Sequence, residues 1–111
     1  MFHRTITVAA VGALLASTAL AADKTVTIAS WGGSYQEAQS KALFEPAAAD
    51  TGIEVKQETY GGMSDVRLQV QTGAVTLDIV ASGSGSAARA AAEGLLEKLD
   101  YSVIDVSEFL P

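Results

Sequence analysis

Thr25-Val26-Thr27-Ile28-Ala29-Ser30 alternates polar and apolar side chains and is rich in β-branched residues, the pattern of a strand. Gly32 and Gly33 break it. Ser34 with Glu37 three residues later has the spacing of a capping box. The helix it opens places Tyr35, Ala38, Ala42 and Leu43 on one face, the face expected to be buried. Pro46 interrupts that helix. Residues 46–50 form a further turn, because proline suits a first helical position, and Gly52 is the C-terminal cap.

Ile53-Glu54-Val55-Lys56-Gln57-Glu58 alternates again, and its wet face marks an edge or half-covered strand. After the turn at 59–63, Ser64 is placed to cap a second helix over residues 65–72, with Met63, Val66 and Val70 on one side and Gly73 closing it. Leu77-Asp78-Ile79-Val80-Ala81 is nearly continuous apolar sequence, as a buried parallel strand is. A Ser/Gly loop at 82–86 precedes a helix over residues 87–93, whose buried face is read as Ala88, Ala91 and Ala92 leading to Leu95 and Leu96. Gly94 ends it. Residues 95–100 then cross the domain, and the last stretch is irregular or briefly helical.

The order β-α-β-α-β-α predicts an α/β fold with a parallel sheet and right-handed crossovers. Parallel strands deliver the loops at 31–34, 61–64 and 82–86 to one carboxyl edge, where open α/β sheets bind ligands. Each loop is glycine-rich and opens a helix, whose free N–H groups suit an anionic group such as a carboxylate.

Composition changes this picture at the start of the chain. The 49% hydrophobic fraction of the 111 residues is raised by an uncharged apolar run over 6–20. A short segment with Arg4 precedes that run, and Ala19-Leu20-Ala21 ends it with small residues at both cleavage positions. Residues 1–21 are therefore expected to be a secretory signal peptide. A membrane anchor is the competing reading, but the run is shorter than the ~20 apolar residues a span needs. Residues 22–111 would form the mature chain. Without Arg4 it carries six basic against thirteen acidic side chains, which argues against a nucleic-acid partner. Cysteine is absent, so packing alone must hold the fold, and periplasm is the expected compartment.

Gly83-Ser84-Gly85-Ser86-Ala87-Ala88 fits the dinucleotide fingerprint in letters. It follows the third strand and lacks a well-placed acidic partner, so it is set aside. The nucleophile elbow fails around Ser84 because Ser82 and Ser86 stand where glycines are needed. His3 is the only histidine and lies in the leader, so no Ser-His-Asp triad is available and metal ligands reduce to oxygen. Asp78, inside an apolar strand, reads as structural, hydrogen-bonded to a neighbouring turn, with a ligand role as the alternative. Catalysis, a cofactor and a metal are therefore not expected. Trp31, the lone tryptophan, is either core or a stacking surface at the ligand edge.

These pieces resemble the N-terminal part of bacterial ABC-transporter solute-binding proteins, in the spermidine/putrescine-binding branch. The resemblance rests on residues 26–34 ending in Trp-Gly-Gly-Ser, on Phe44-Glu45-Pro46, on Thr51-Gly52-Ile53-Glu54-Val55 and on Leu77-Asp78-Ile79-Val80. It extends to Glu93-Gly94-Leu95-Leu96-Glu97-Lys98-Leu99-Asp100-Tyr101, where Lys98 stands in place of a common proline. It implies a three-layer βαβαβα half-lobe: the first three strands of lobe 1 of a two-lobed, type II periplasmic binding protein. Residues 22–111 would be an incomplete lobe whose third strand keeps an exposed apolar edge. Alone it is expected to be unstable and not to bind ligand.

The resemblance implies a monomeric solute receptor, not an enzyme, that passes a polyamine or amino-acid-like solute to an ABC permease in the inner membrane. Trp31, Gly32, Gly33 and Ser34 would line one wall, and Ser82, Gly83 and Ser84 would contribute from the third loop. Two other classes remain open: an exported α/β enzyme domain that holds phosphate or flavin, and a small interaction protein with no ligand.

Overall fold

The computed structural model describes residues 24–109, so the segment read as a signal peptide lies outside the described residues. Three strands form one parallel sheet in the order β2-β1-β3. The first, β1 (Thr25–Ser30), pairs along its whole length with β2 (Glu54–Thr59), from Thr25 opposite Glu54 to Ser30 opposite Thr59. On its other side it pairs with β3 (Ile79–Val80) through Ile28 and Ala29. β2 is an edge strand, as its alternation implied.

The crossover from β1 to β2 and the one from β2 back past β1 to β3 run in opposite directions across the sheet, so right-handed connections place helices on both faces. Side chains agree. Ser30 faces α1 (Gly33–Gln39), and its hydroxyl donates to Gln39 Oε1 at 2.5 Å. Ala29 points the other way and forms the core with Tyr60 and Val66 of α3 (Met63–Thr72). Met63, Leu77, Val80 and Leu95 pack around that cluster. The result is the expected three-layer α/β arrangement.

Several local expectations are corrected. Pro46 does not break the helical path. A π turn over Ser40–Phe44 leads directly into α2 (Glu45–Thr51), with Pro46 in its first turn. The wider turn relieves the clash a proline ring makes with the carbonyl four residues back. Gly52 caps α2 in the left-handed conformation, as expected.

The face read as buried on α1 is exposed. Tyr35, Ala38, Ala42 and Leu43 face outward, and the helix meets the sheet through polar Gln36, Gln39 and Ser40. Its register follows hydrogen bonds: Gln57 Nε2 donates to Ser40 Oγ at 2.8 Å, and Gln36 Nε2 donates to the Glu58 carbonyl at 3.2 Å.

The last helix, α4 (Ser84–Ala92), starts three residues earlier than expected and buries a different face. Ala90 is 2% exposed, while Ala88, Ala91 and Ala92 are open. An alanine-rich helix gives no side-chain contrast from which to read its inward face. Arg67 on α3 grips Glu93 after α4 with two hydrogen bonds, at 2.8 and 2.9 Å, and so aligns the two helices.

The third strand is shorter than read and is not buried: Ile79 is 53% exposed at a free sheet edge. Beside it runs an apolar groove of about 610 Å3, with Val66, Val70, Leu77, Ile79, Leu95 and Leu99 on its walls. Asp78 is a structural acceptor as expected, but its partner is strand β1 and not the neighbouring turn that the sequence suggests. Its Oδ2 accepts from the Thr27 N–H at 2.8 Å, and its own N–H donates to the Thr27 carbonyl at 3.0 Å. Among the described residues no helix is long and apolar enough to cross a membrane.

Past the groove the chain makes two matching turns. Asp100 Oδ1 accepts from both the N–H and the hydroxyl of Ser102, at 2.9 and 2.6 Å. Asp105 does the same with Ser107 at 2.9 and 2.6 Å, opening a 3-10 turn over Val106–Glu108.

Two outcomes follow. Tyr60 donates its hydroxyl to the Ala81 carbonyl, across β1. Tyr60→Phe removes that bond and should cost about 1–2 kcal/mol, read as a lower urea midpoint at unchanged slope. The serine bonds hold both Asp100 and Asp105 below the ordinary carboxylate value of 3.8. A depressed folded pKa means the turns contribute fully above that value and lose their contribution as pH falls through the folded pKa. Carboxyl-detected NMR titration should find both midpoints low, and Ser102→Ala should raise only that of Asp100.

Candidate functional site

The candidate site is the carboxyl rim of the sheet, and β1 stands at its centre. Because both neighbours run parallel to β1, the chain leaves all three strands on the same edge. The loop after β1 is therefore flanked by the loops after β2 and β3, as the strand order requires.

Trp31 is the first residue past β1, and its side chain is 52% exposed. Of the two readings open for it, the structure excludes core. Its indole stacks on the ring of Tyr35, with centroids 5.3 Å apart and planes at 24°. Tyr35 is itself 51% exposed, so the two rings form one aromatic plate on the rim. The apolar periodicity of the helix predicts Tyr35 in the core. Its spacing of four from Trp31 across a helix start was the signal for a pair.

Gly32 is the N-cap of α1, with φ 75° and ψ −173°. That region is essentially restricted to glycine. A Cβ there would also stand 3.2 Å from Thr59 Cγ2. Gly32 therefore shapes the loop. The capping box is corrected: Ser34 makes no cap and lies exposed in the first turn of α1. The Gly32 N–H instead donates to Gln36 Oε1 at 2.9 Å. Gly33, with φ 58°, starts the helix beside open space.

The second loop repeats the device. Gly62 is the N-cap of α3 at φ 133° and ψ −171°, and Ser64 lies inside the helix without capping it. Asp65 in the first turn accepts from the Gly61 N–H at 2.7 Å. Its carboxylate occupies this helix start, so only two of the three rim helices begin without an acidic side chain.

The third loop is short. Ser82 is half-buried and donates to the Gly83 carbonyl at 3.3 Å. Gly83 is the N-cap of α4, and Ser84 is its exposed first residue. The Ser84 and Ser86 hydroxyls and the first N–H groups of α4 stand at this end of the rim. The structure thus puts Trp31, Gly32, Gly33, Ser34, Ser82, Gly83 and Ser84 on one sheet edge, from two adjacent loops. Among the described residues no cluster of three His, Cys, Asp or Glu side chains is arranged to hold a metal.

Residues 25–110 match the family described as bacterial extracellular solute-binding protein. The chain is 34% identical over 102 residues to a gamma-aminobutyric acid-binding protein of Pseudomonas aeruginosa, covering 90% of this chain and 29% of that one. Two solved receptors have the same fold. MotA of A. tumefaciens B6, solved in complex with glucopine, superposes with a TM-score of 0.73 at 44% identity, over 78% of this chain and 27% of that one. AgtB of A. tumefaciens R10, solved with agropinic acid, gives 0.72 at 40% identity, over 75% and 26%. The chain therefore spans less than a third of the length of each.

The geometry of the first loop fixes a contrast between neighbours. Gly32→Ala should cost about 1–3 kcal/mol through backbone strain. Ser34→Ala should change stability by less than about 0.5 kcal/mol, because no cap is lost. Urea unfolding of the two variants beside the parent checks both.

Proposed function

The chain belongs to the bacterial extracellular solute-binding protein family, and from that premise we propose that it serves a periplasmic receptor for a small, amine-bearing, amino-acid-like solute. The receptor hands its solute to an ABC permease in the inner membrane and catalyses no reaction. The observation that carries this reading is the Trp31–Tyr35 plate, half-exposed on the rim where α/β sheets bind ligands.

The chemistry of the rim supports a two-ended solute. An indole face attracts an ammonium group and also packs against an aliphatic chain. The start of α4 offers free N–H groups and serine hydroxyls with no acidic residue in its first turn, the right environment for a carboxylate. We assign Trp31 with Gly32, Gly33 and Ser34 to the first part of the site, and Ser82, Gly83 and Ser84 to the second. A polyamine carries ammonium groups and no carboxylate, so it uses only the first. The relatives' names point the same way: one is a receptor for gamma-aminobutyric acid, which carries both groups.

Calorimetry and Trp31 fluorescence decide between the solutes. A receptor of full family length that carries the residues of this chain is titrated with gamma-aminobutyrate, a panel of amino acids, putrescine and spermidine. The expected result is saturable binding of an amino acid, weakened about tenfold by Trp31→Ala, given the ~0.5–2 kcal/mol of a cation–aromatic contact. Tight putrescine or spermidine binding would move the assignment to polyamines. Copurifying flavin or phosphate would favour the enzyme-domain reading instead.

A further inference from the structure

We infer that Tyr35 and Gln36 are positioning residues that fix the Trp31 indole in place before any solute arrives. This rests on the reading of Trp31 as a wall of the solute site.

Trp31 lies outside both β1 and α1, and half its surface is open, so the core does not hold it. Among the described contacts its indole N–H has no acceptor. The contact that immobilises the ring is the stack on Tyr35. Tyr35 is the third residue of α1, so the helix sets its backbone and the direction in which its ring leaves it. The polar seating of α1 turns Tyr35 outward, and the stack on Trp31 is the contact its ring then makes.

Gln36, the next residue, turns toward the end of β2 and does the complementary task. Its Oε1 accepts from the Gly32 N–H at 2.9 Å and from the Thr59 hydroxyl at 3.4 Å. Its Nε2 donates to the Glu58 carbonyl at 3.2 Å and to Gln57 Oε1 at 3.5 Å. One side chain thus ties the backbone just after Trp31 to the end of β2. Adjacent residues hold backbone and ring separately, and both constraints exist without ligand.

A free indole samples three staggered χ1 wells. If one is competent, releasing it lowers the apparent affinity about threefold. Preorganisation of this kind removes an ordering cost from binding.

Trp31 is the only tryptophan, so its emission reports on this ring alone. Time-resolved anisotropy of the ligand-free full chain should show the indole turning with the protein. Tyr35→Ala should add a subnanosecond component, whereas Tyr35→Phe, which keeps the ring, should not. Gln36→Leu should raise the anisotropy loss while the stack remains. Far-UV circular dichroism checks that each variant folds, and Tyr35 lies outside the buried core. An unchanged decay in Tyr35→Ala, or equal mobility in Tyr35→Ala and Tyr35→Phe, overturns the inference. Gamma-aminobutyrate titration is a separate arm. If it binds, Tyr35→Ala should weaken it about threefold with Tyr35→Phe at the parent value. If a receptor of full family length carrying these residues binds none of the tested solutes, the solute reading fails, and the anisotropy result still decides the role of Tyr35.

Discussion

The structure depends on β1 being paired on both sides by parallel strands. Its last three residues are buried, and Ala29 and Ser30 are fully so. The Ser30 carbonyl accepts from the Tyr60 N–H at 3.0 Å on one side, and the Ala29 carbonyl accepts from the Ala81 N–H at 2.9 Å on the other. Tyr60 then bonds Ala81 through its hydroxyl, so the ends of all three strands are clamped over a residue small enough to pass beneath the ring. Parallel pairing has a further consequence. It demands helical crossovers, and these return the chain so that every strand ends at the same edge. The rim is therefore a product of strand direction.

Side chains near the rim divide into those spent on structure and those left free. Gln36, Gln39 and Ser40 hold α1 to the sheet by hydrogen bonds. Asp65 occupies the start of α3, and Gly32 and Gly62 supply backbone that no other residue adopts without strain. A helix seated by its polar face must turn its apolar face outward. That inversion leaves Tyr35 beside Trp31, and it turns a ring that reads as core into part of an accessible surface.

The opposite side of the sheet carries the hydrophobic packing, and it is unevenly covered. Ala29, Tyr60 and Val66 are closed in, while the groove along β3 leaves Ile79 and Leu99 open. The expected exposed apolar edge is present there. The Arg67–Glu93 pair bridges α3 and the end of α4 on this side, with both side chains about two-fifths exposed. A pair so open to solvent contributes alignment more than stability.

The sequence by itself determined the element types, their order and the parallel sheet. Strong local signals wrote them: β-branched alternation in β1 and β2, and glycines at 52, 73 and 94 that adopt positive φ where each helix stops. It also determined that the glycine-rich loops share an edge, because parallel connectivity has that geometric result whatever the details. It did not determine which face of α1 or α4 turns inward. In α1 hydrogen bonds to β2 outweighed apolar periodicity, and in α4 alanine lines every face. Nor did it determine the caps, since Ser34 and Ser64 have the right spacing but the glycines before them take the cap positions. Only the tertiary structure decided that Trp31 stands in the open against Tyr35, because which rings meet depends on how the helix is seated on the sheet.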